Sequence, residues 1–312
     1  DASATAIYGS RGANGVILVK TRSGSKGSRF EVQANVQTGI SEVARKLELA
    51  DATEFANARK AIGATDDIIN YVLAQEEAGN YLKGTDWQKE IYRQGVNNRY
   101  NVSVLGNTEA YSYDHGFTYS TEKGTVKGTY LDKLMFHSNN NLTLTKKVKM
   151  GLNFNFVHYE KPGDRTDYYS GTITGALRSD PISAAWDDYT NFYGEVYYSQ
   201  AATNPALSIY LAGKEKYKGN RAMGNVYLQI DDLFTNGLSF RSQLGTQLDF
   251  DDQKTYSPKY FITPTQKNDQ SSLYQKRPYG FNWVNTNYFT YNKSVSKLNI
   301  NATLGTELQA SQ

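Results

Sequence analysis

Polar and apolar side chains alternate along most of the chain with a period of two residues. Residues 111–119 place Tyr, His and Phe at every odd position, with Ser, Asp, Gly and Thr between them. Similar runs cover residues 30–37, 134–144, 150–156, 238–250 and 298–308. Because successive side chains of a β-strand point to opposite faces, this pattern predicts about nine long strands, each with one apolar and one polar face.

The polar face of these strands must be in contact with water. Asp114, Arg241 and Asp249 occupy polar positions of the alternating runs, and an unpaired charge in a dry core carries a large desolvation cost. A half-exposed sheet of a soluble sandwich meets this requirement, and so does a barrel with a polar lumen and a lipid-facing exterior. The alternation alone leaves both architectures open.

Short and long connections alternate between the predicted strands, which favours the barrel. Tight turns are predicted near residues 106–108, 146–147, 235–237 and 294–296. Three of the other connections are long, at residues 41–97, 161–219 and 252–277. Outer-membrane barrels alternate short periplasmic turns with longer extracellular loops, and strands of about 10–15 residues suit a tilted crossing of lipid.

The first long connection changes to a helical pattern. Asp51 followed by Glu54 is typical of a helix N-terminus with a capping box, and Phe55 and Ile62 belong to the apolar stripe that follows. A second helical pattern begins after Asp66. We therefore predict short helices within the long loops.

Composition excludes several classes of protein. The 312 residues contain no Cys, and 34 basic residues are nearly balanced by 31 acidic ones, so we predict neither a disulfide framework nor a nucleic-acid surface. The three His residues are far apart, and the paired Asp residues are typical of solvated loops. We expect no metal, no cofactor and no enzymatic activity.

A glycine-rich segment opens the chain. Gly9, Gly12 and Gly15 recur at three-residue spacing before the β-branched run at residues 16–19. The Lys of a P-loop and the helix of a dinucleotide fingerprint are both missing from this segment. Instead, AIYGSRGANGVILV resembles the end of the plug domain in SusC/RagA-type TonB-dependent outer-membrane transporters. The motif residues are Tyr8, Gly9, Arg11, Gly12, Asn14 and Gly15.

The resemblance implies an all-β fold, namely part of a transmembrane antiparallel β-barrel of roughly 22 strands closed by a plug. Residues 1–27 would be the end of the plug domain and a linker, and residues 28–312 the N-terminal part of the barrel. The motif would be structural: its glycines would allow close packing against the barrel wall, and Arg11 would pair with lumen carboxylates.

The resemblance also implies a function. Proteins of this family import nutrients across the outer membrane of Bacteroidota-type bacteria, with a SusD-like surface lipoprotein as lid and TonB acting through another part of the protein. We expect glycan oligosaccharides as substrate, with peptides, as in RagA-type members, as the alternative. Outside the family, the alternative is a soluble, secreted all-β protein that binds or cleaves carbohydrate.

Aromatic residues of the second long connection are the candidates for contact with a ligand or a partner. Exposed aromatic rings stack on sugar faces, and Tyr and Trp are also enriched at protein interfaces. Packing of the loops against one another would explain the same residues. The candidates are Tyr168, Tyr169, Trp186, Asp187, Asp188 and Tyr189.

Overall fold

The computed structural model describes residues 30–163, 171–198, 204–295 and 298–312. Its main element is one antiparallel sheet of ten strands. Nine of them lie side by side in the order in which they occur along the chain. These nine are β1 (Glu31–Ser41), β2 (Gly95–Asn107), β3 (Tyr111–Lys123), β4 (Tyr130–Thr143), β5 (Val148–Pro162), β8 (Glu215–Ile230), β9 (Leu238–Ser257), β13 (Tyr279–Val295) and β14 (Leu298–Ser311). The tenth, β12 (Ser272–Lys276), pairs with the end of β9.

The remaining elements are short and lie in the long connections. Two small hairpins are formed by β6 (Trp186–Asp187) with β7 (Phe192–Tyr193), and by β10 (Tyr260–Phe261) with β11 (Lys267–Asn268). The helices are α1 (Ala52–Ala61), α2 (Asp67–Glu77), α3 (Trp87–Ile91), α4 (Thr172–Arg178) and α5 (Pro205–Ala212). No helix in the described ranges is long and apolar enough to cross a membrane.

The strand register collects the apolar side chains on one face of the sheet. Phe117 of β3 lies opposite Val102 of β2 and Phe136 of β4. Phe136 in turn lies opposite Phe156 of β5. Val102, Phe117 and Phe136 are all exposed, so this apolar face is not covered by any other described part of the chain.

The polar face of the same strands is the shielded one. Thr118 is 4% exposed, whereas the neighbouring Phe117 is 48% exposed. Ser103 and Ser120, on the face of Thr118, are also buried. A soluble sheet would bury the apolar side chains instead. The inverted arrangement is that of a barrel wall, with lipid outside and a polar lumen inside, and we call the two faces the outer face and the lumen face.

The outer-face segment of β5 has the length expected of a transmembrane strand. It runs from Met150 through Phe156 to the more polar His158, and these nine residues match the lower end of the about 9–11 residues with which a tilted strand crosses a bilayer. Charged residues follow where this segment ends: Glu160 and Lys218 form an ion pair of 2.8 Å on the outer face. The sheet is therefore part of a transmembrane antiparallel β-barrel, the architecture that the lengths of the connections favour.

Two details differ from the sequence-based expectations. The third long connection begins at residue 258 and not at 252, because β9 continues to Ser257 and is paired there by β12. Ile62 is not part of the apolar stripe of α1: it is the C-terminal cap and is 75% exposed. The buried face of α1 is formed instead by residues nearer its N-terminus, including Ala52 and Ala56.

Candidate functional site

The first two long connections fold together into one helical layer, which we call the loop cap (residues 42–94 and 171–214, as far as described). One apolar cluster joins α1 and α2 to Ile182 and Tyr198. A second joins Trp87 and Ile91 of α3 to Ala176 of α4. Since each cluster draws on both connections, the loop cap has a core of its own.

A backbone contact at Gly84 fixes the two connections to each other. The Thr85 N–H donates to the Pro181 carbonyl at 2.8 Å, and the Trp87 indole N–H donates to the Asp180 carbonyl at 2.7 Å. Gly84 has a φ of +69°, and a Cβ built on it would lie 2.1 Å from the Pro181 oxygen. Only glycine fits this position, for both steric and conformational reasons.

A polar network stabilises the same junction. The buried Asp180 carboxylate accepts hydrogen bonds from the backbone and hydroxyl of Ser183 and from the Tyr198 N–H. The Tyr198 hydroxyl donates to Asp66, the N-terminal cap of α2. The hydrogen bond from this hydroxyl, and to a smaller extent the one from the Ile69 N–H, hold the pKa of Asp66 below its usual value. Burial, and to a smaller extent the hydrogen bond to Asp66, raise the pKa of Tyr198.

The loop cap is attached to the sheet at the turn between β3 and β4. The Lys127 N–H donates to the Ile91 carbonyl at 2.7 Å, and the Arg93 N–H donates to the Thr125 carbonyl at 2.8 Å. An isolated bridge pairs Tyr92 with Val126. These contacts place α3 directly over the long-loop end of the strands.

The described candidate residues lie on a hairpin of the loop cap. Trp186 and Asp187 form β6, and Asp188 and Tyr189 belong to the turn that follows. Asp187 accepts the Tyr189 N–H at 2.9 Å, so its carboxylate closes the turn. Tyr189 is 98% exposed. Within the described ranges no group of three His, Asp or Glu side chains is arranged to hold a metal ion.

Rings from two further segments extend this hairpin into an aromatic cluster. Tyr193 contacts Trp186 at 5.2 Å and Tyr210 of α5 at 5.7 Å between ring centroids. Phe192 stacks on Tyr260, from the third long connection, at 6.2 Å. Sequence reasoning did not include Tyr210 and Tyr260 among the candidates, because nothing local in the sequence indicates that they meet the hairpin.

The remaining candidates fall outside the described residues. These are Tyr168, Tyr169 and the motif residues Tyr8, Gly9, Arg11, Gly12, Asn14 and Gly15. Their roles stay predictions.

The lumen face beneath the loop cap carries networks of polar side chains. Arg221 forms an ion pair with Asp249, and His137 Nε2 lies 3.2 Å from Asp114 Oδ1. The Tyr159 hydroxyl donates to Asp251 at 3.2 Å. These contacts satisfy groups that a dry core would not tolerate, and they leave a wall suited to a polar solute.

Comparison with known proteins gives relatives of one kind. No family model matches the chain. It is 29% identical over its whole length to TonB-dependent receptor P3 of Formosa agariphila, of which it covers 30%. It is 29% identical over 60% of its length to TonB-dependent receptor SusC of Bacteroides thetaiotaomicron, of which it covers 18%. The chain thus spans less than a third of the length of these relatives.

Solved structures show the same fold. The whole chain superposes on the RagAB peptide transporter with a TM-score of 0.76 at 20% identity, covering 39% of that chain. The open-open state of the RagAB peptide importer gives a TM-score of 0.77 at 21% identity, covering 38%.

The inverted sheet and these relatives define the class: the chain corresponds to part of a TonB-dependent receptor. Within that class it is similar in sequence to SusC, and it shares its fold with the RagAB transporter.

Proposed function

We propose that the chain is part of an outer-membrane importer that takes up nutrient oligomers with energy supplied through TonB. A SusD-like surface lipoprotein would act as its lid, and membrane lipid would surround the outer face. The observation that carries this proposal is the inversion of the sheet, in which Phe117 is exposed and Thr118 is shielded. A soluble carbohydrate-binding or carbohydrate-cleaving protein has no reason to expose such a face.

The loop cap supplies a second argument for an importer. It lies over the long-loop end of the strands, which is the extracellular end in outer-membrane barrels. Its aromatic cluster includes the half-exposed Trp186, and Tyr189 of the same hairpin is exposed. A solute entering from outside would meet these rings before it reached the lumen face.

We propose glycan oligosaccharides as the substrate class. Trp186 and Tyr189 offer flat apolar rings, and Asp188 is an exposed hydrogen-bond acceptor next to them. Sugars combine apolar faces with hydroxyl groups, so such a surface suits them. Peptides are the second candidate, favoured by the superposition on the RagAB peptide transporter.

We further propose that residues 1–27 end a plug domain and that residues 28–312 begin the barrel. The described part supports this boundary, because β1 begins at Glu31 and is the first strand of the sheet. In this proposal Tyr8, Gly9, Arg11, Gly12, Asn14 and Gly15 pack the plug against the lumen face.

Deletion of the gene in the source bacterium tests the function. Growth and uptake of labelled oligomers are compared for the wild type, the deletion and a complemented strain, on glycan mixtures and on peptide mixtures. The proposal expects uptake of one class to be lost on deletion and to be abolished by a protonophore. Unchanged uptake of both classes would contradict it.

The same strain tests the partner. An affinity tag on the transporter, with extraction of the outer membrane in detergent, should recover a surface lipoprotein in a fixed ratio to the transporter. Recovery of the tagged protein without any lipoprotein would refute the proposed lipoprotein lid. The import function would then be judged by the uptake assay alone.

A further inference from the structure

The lumen face carries a group of cations close to the loop cap, which we call the basic row (Arg99, Lys133 and Lys161). Arg99 of β2 and Lys133 of β4 lie opposite Ser120 of β3, one on each side, in a single cross-strand line. Lys133 is opposite Tyr159 of β5. Lys161 follows two residues later and therefore lies on the same face.

The basic row differs from several other charges of this face in having no counter-ion among the described residues. Asp114 and Asp249 contact His137 and Arg221. By contrast, the side chains of Arg99 and Lys133 make no hydrogen bond or ion pair with any described residue, and the side chain of Lys161 contacts only the Tyr217 ring, with its Nζ 5.6 Å from the ring centroid.

The one nearby acid on β3 does not neutralise the basic row. Glu122 lies two residues beyond Ser120, on the same face, and forms no ion pair of 4 Å or less within the described part of the chain. Asp251, also on this face, accepts a hydrogen bond from Tyr159, which lies opposite Lys133. Three positive charges beside these two negative charges leave a local excess of one, and such an excess on the lumen wall concentrates anionic solutes.

A cleft gives the basic row room for a ligand group. It measures about 360 Å³, which lies at the small end of the range found for ligand pockets. Its lining combines two cations, Arg99 and Lys133, with amide side chains such as Gln37 and Asn97, and Glu122 is the one acid among the lining residues. The Lys and Arg side chains are donors only, so an oxygen-rich anion is the ligand that they match.

We propose that the basic row binds carboxylate groups of the oligomer that passes through the barrel. This inference rests on the proposed import function and specifies its substrate as anionic. Arg99 and Lys133 donate to the acidic group within the cleft, and Lys161 holds the next one along the oligomer. Because charge-assisted bonds are about twice as strong as neutral ones, an acidic oligomer binds more tightly than its neutral analogue.

The test uses the full-length transporter purified in detergent and isothermal titration with two pairs of probes. One pair is tetragalacturonate and its methyl ester, and the other is tetraglutamate and tetraglutamine. The double variant R99Q/K133Q removes two cations of the basic row. The control K146Q/K147Q removes two cations from the turn between β4 and β5, at the opposite end of the strands.

We expect the acidic member of one pair to bind about tenfold more tightly than its neutral analogue. R99Q/K133Q abolishes this difference, and K146Q/K147Q preserves it. The pair that shows the preference identifies the acid as a glycan or a peptide. Equal affinities within both pairs, absence of binding by both acidic probes, or equal losses in the two variants would overturn the inference. An importer of neutral oligomers would still show uptake that depends on the gene. Failure of the anion-binding inference can therefore be distinguished from failure of the proposed import function.

Discussion

Phe154 offers the sharpest test of the lipid-facing surface. It lies at the centre of the outer-face segment of β5, opposite Ser138 and Gly224, and its ring contacts Phe136 at 6.3 Å. Phe154→Arg would place a guanidinium against the bilayer core. The neighbouring Asn153 points to the lumen face, opposite Asn139 and Asn225. Asn153→Arg is therefore the matched control, with the same new charge one residue away.

The loss of stability expected for Phe154→Arg can be worked out from the exposure of the Phe154 ring. Phe154 is 37% exposed. Of a Phe surface of about 200 Å², this is about 70 Å² in contact with lipid, worth ~2 kcal/mol at ~25 cal/mol/Å². An Arg at the bilayer midplane costs a further ~2–4 kcal/mol. We expect Phe154→Arg to destabilise the inserted barrel by about 4–6 kcal/mol, which is a large part of the stability of most domains.

The control should behave differently. Asn225 Oδ1 is buried without a hydrogen-bond partner within the described residues, and an arginine at position 153 can donate to it. We expect Asn153→Arg to change the stability by less than about 1 kcal/mol. The assay is urea unfolding of the full-length protein from liposomes, together with its abundance in the outer membrane. Equal losses for the two variants would refute the assignment of the faces.

Three further predictions concern the loop cap. Gly84→Ala should loosen the loop cap and speed its cleavage by protease, because the new Cβ would meet the Pro181 oxygen. The control is Gly63→Ala, where φ is +91° and the space is open, so that this variant should cost only backbone strain. Equal cleavage rates for the two variants would contradict this prediction. The pKa of Asp66 is lowered in the folded protein, so its ionised carboxylate stabilises α2 fully above pH 3.8 and this contribution is lost as the pH falls through the lowered pKa. Hydrogen-exchange protection of α2 should therefore fall as the pH drops below 3.8, and Asp66→Asn should flatten this dependence. Tyr189→Ala should leave unfolding unchanged and weaken oligosaccharide binding about three- to tenfold; unchanged affinity would remove Tyr189 from the site.

The local features of the fold follow from the sequence. Asp51 and Glu54 form the predicted capping box, and Asp66 caps the second helix. The alternation also places Phe117 and Thr118 on opposite faces. Which of the two faces is shielded does not follow from the alternation, because period two is common to sandwiches and barrels. The turn lengths favour the barrel, and the burial of Thr118 beside the exposed Phe117 provides the answer.

The features that could not be predicted depend on contacts between distant segments. Helix α3 has only five residues, too few for a periodic signal. It is held by Trp87, whose partner Asp180 lies 93 residues further along the chain. The aromatic cluster has the same origin: Trp186 and Tyr189 were recognised as aromatic loop residues, but Tyr260 reaches Phe192 only through the folding of another connection.

Cysteine scanning along β5 tests the central claim most directly. The sequence contains no Cys, so single substitutions from Lys149 to Lys161 introduce one reactive thiol at a time into this part of the protein. Any cysteine elsewhere in the full-length transporter is first replaced. A membrane-impermeant maleimide is then applied to the purified transporter in liposomes. The account predicts labelling at the odd positions, which face the aqueous lumen, and protection at the even positions from 150 to 156, which face lipid. Uniform labelling, or labelling of the even positions, would contradict a barrel wall with its apolar face in the membrane.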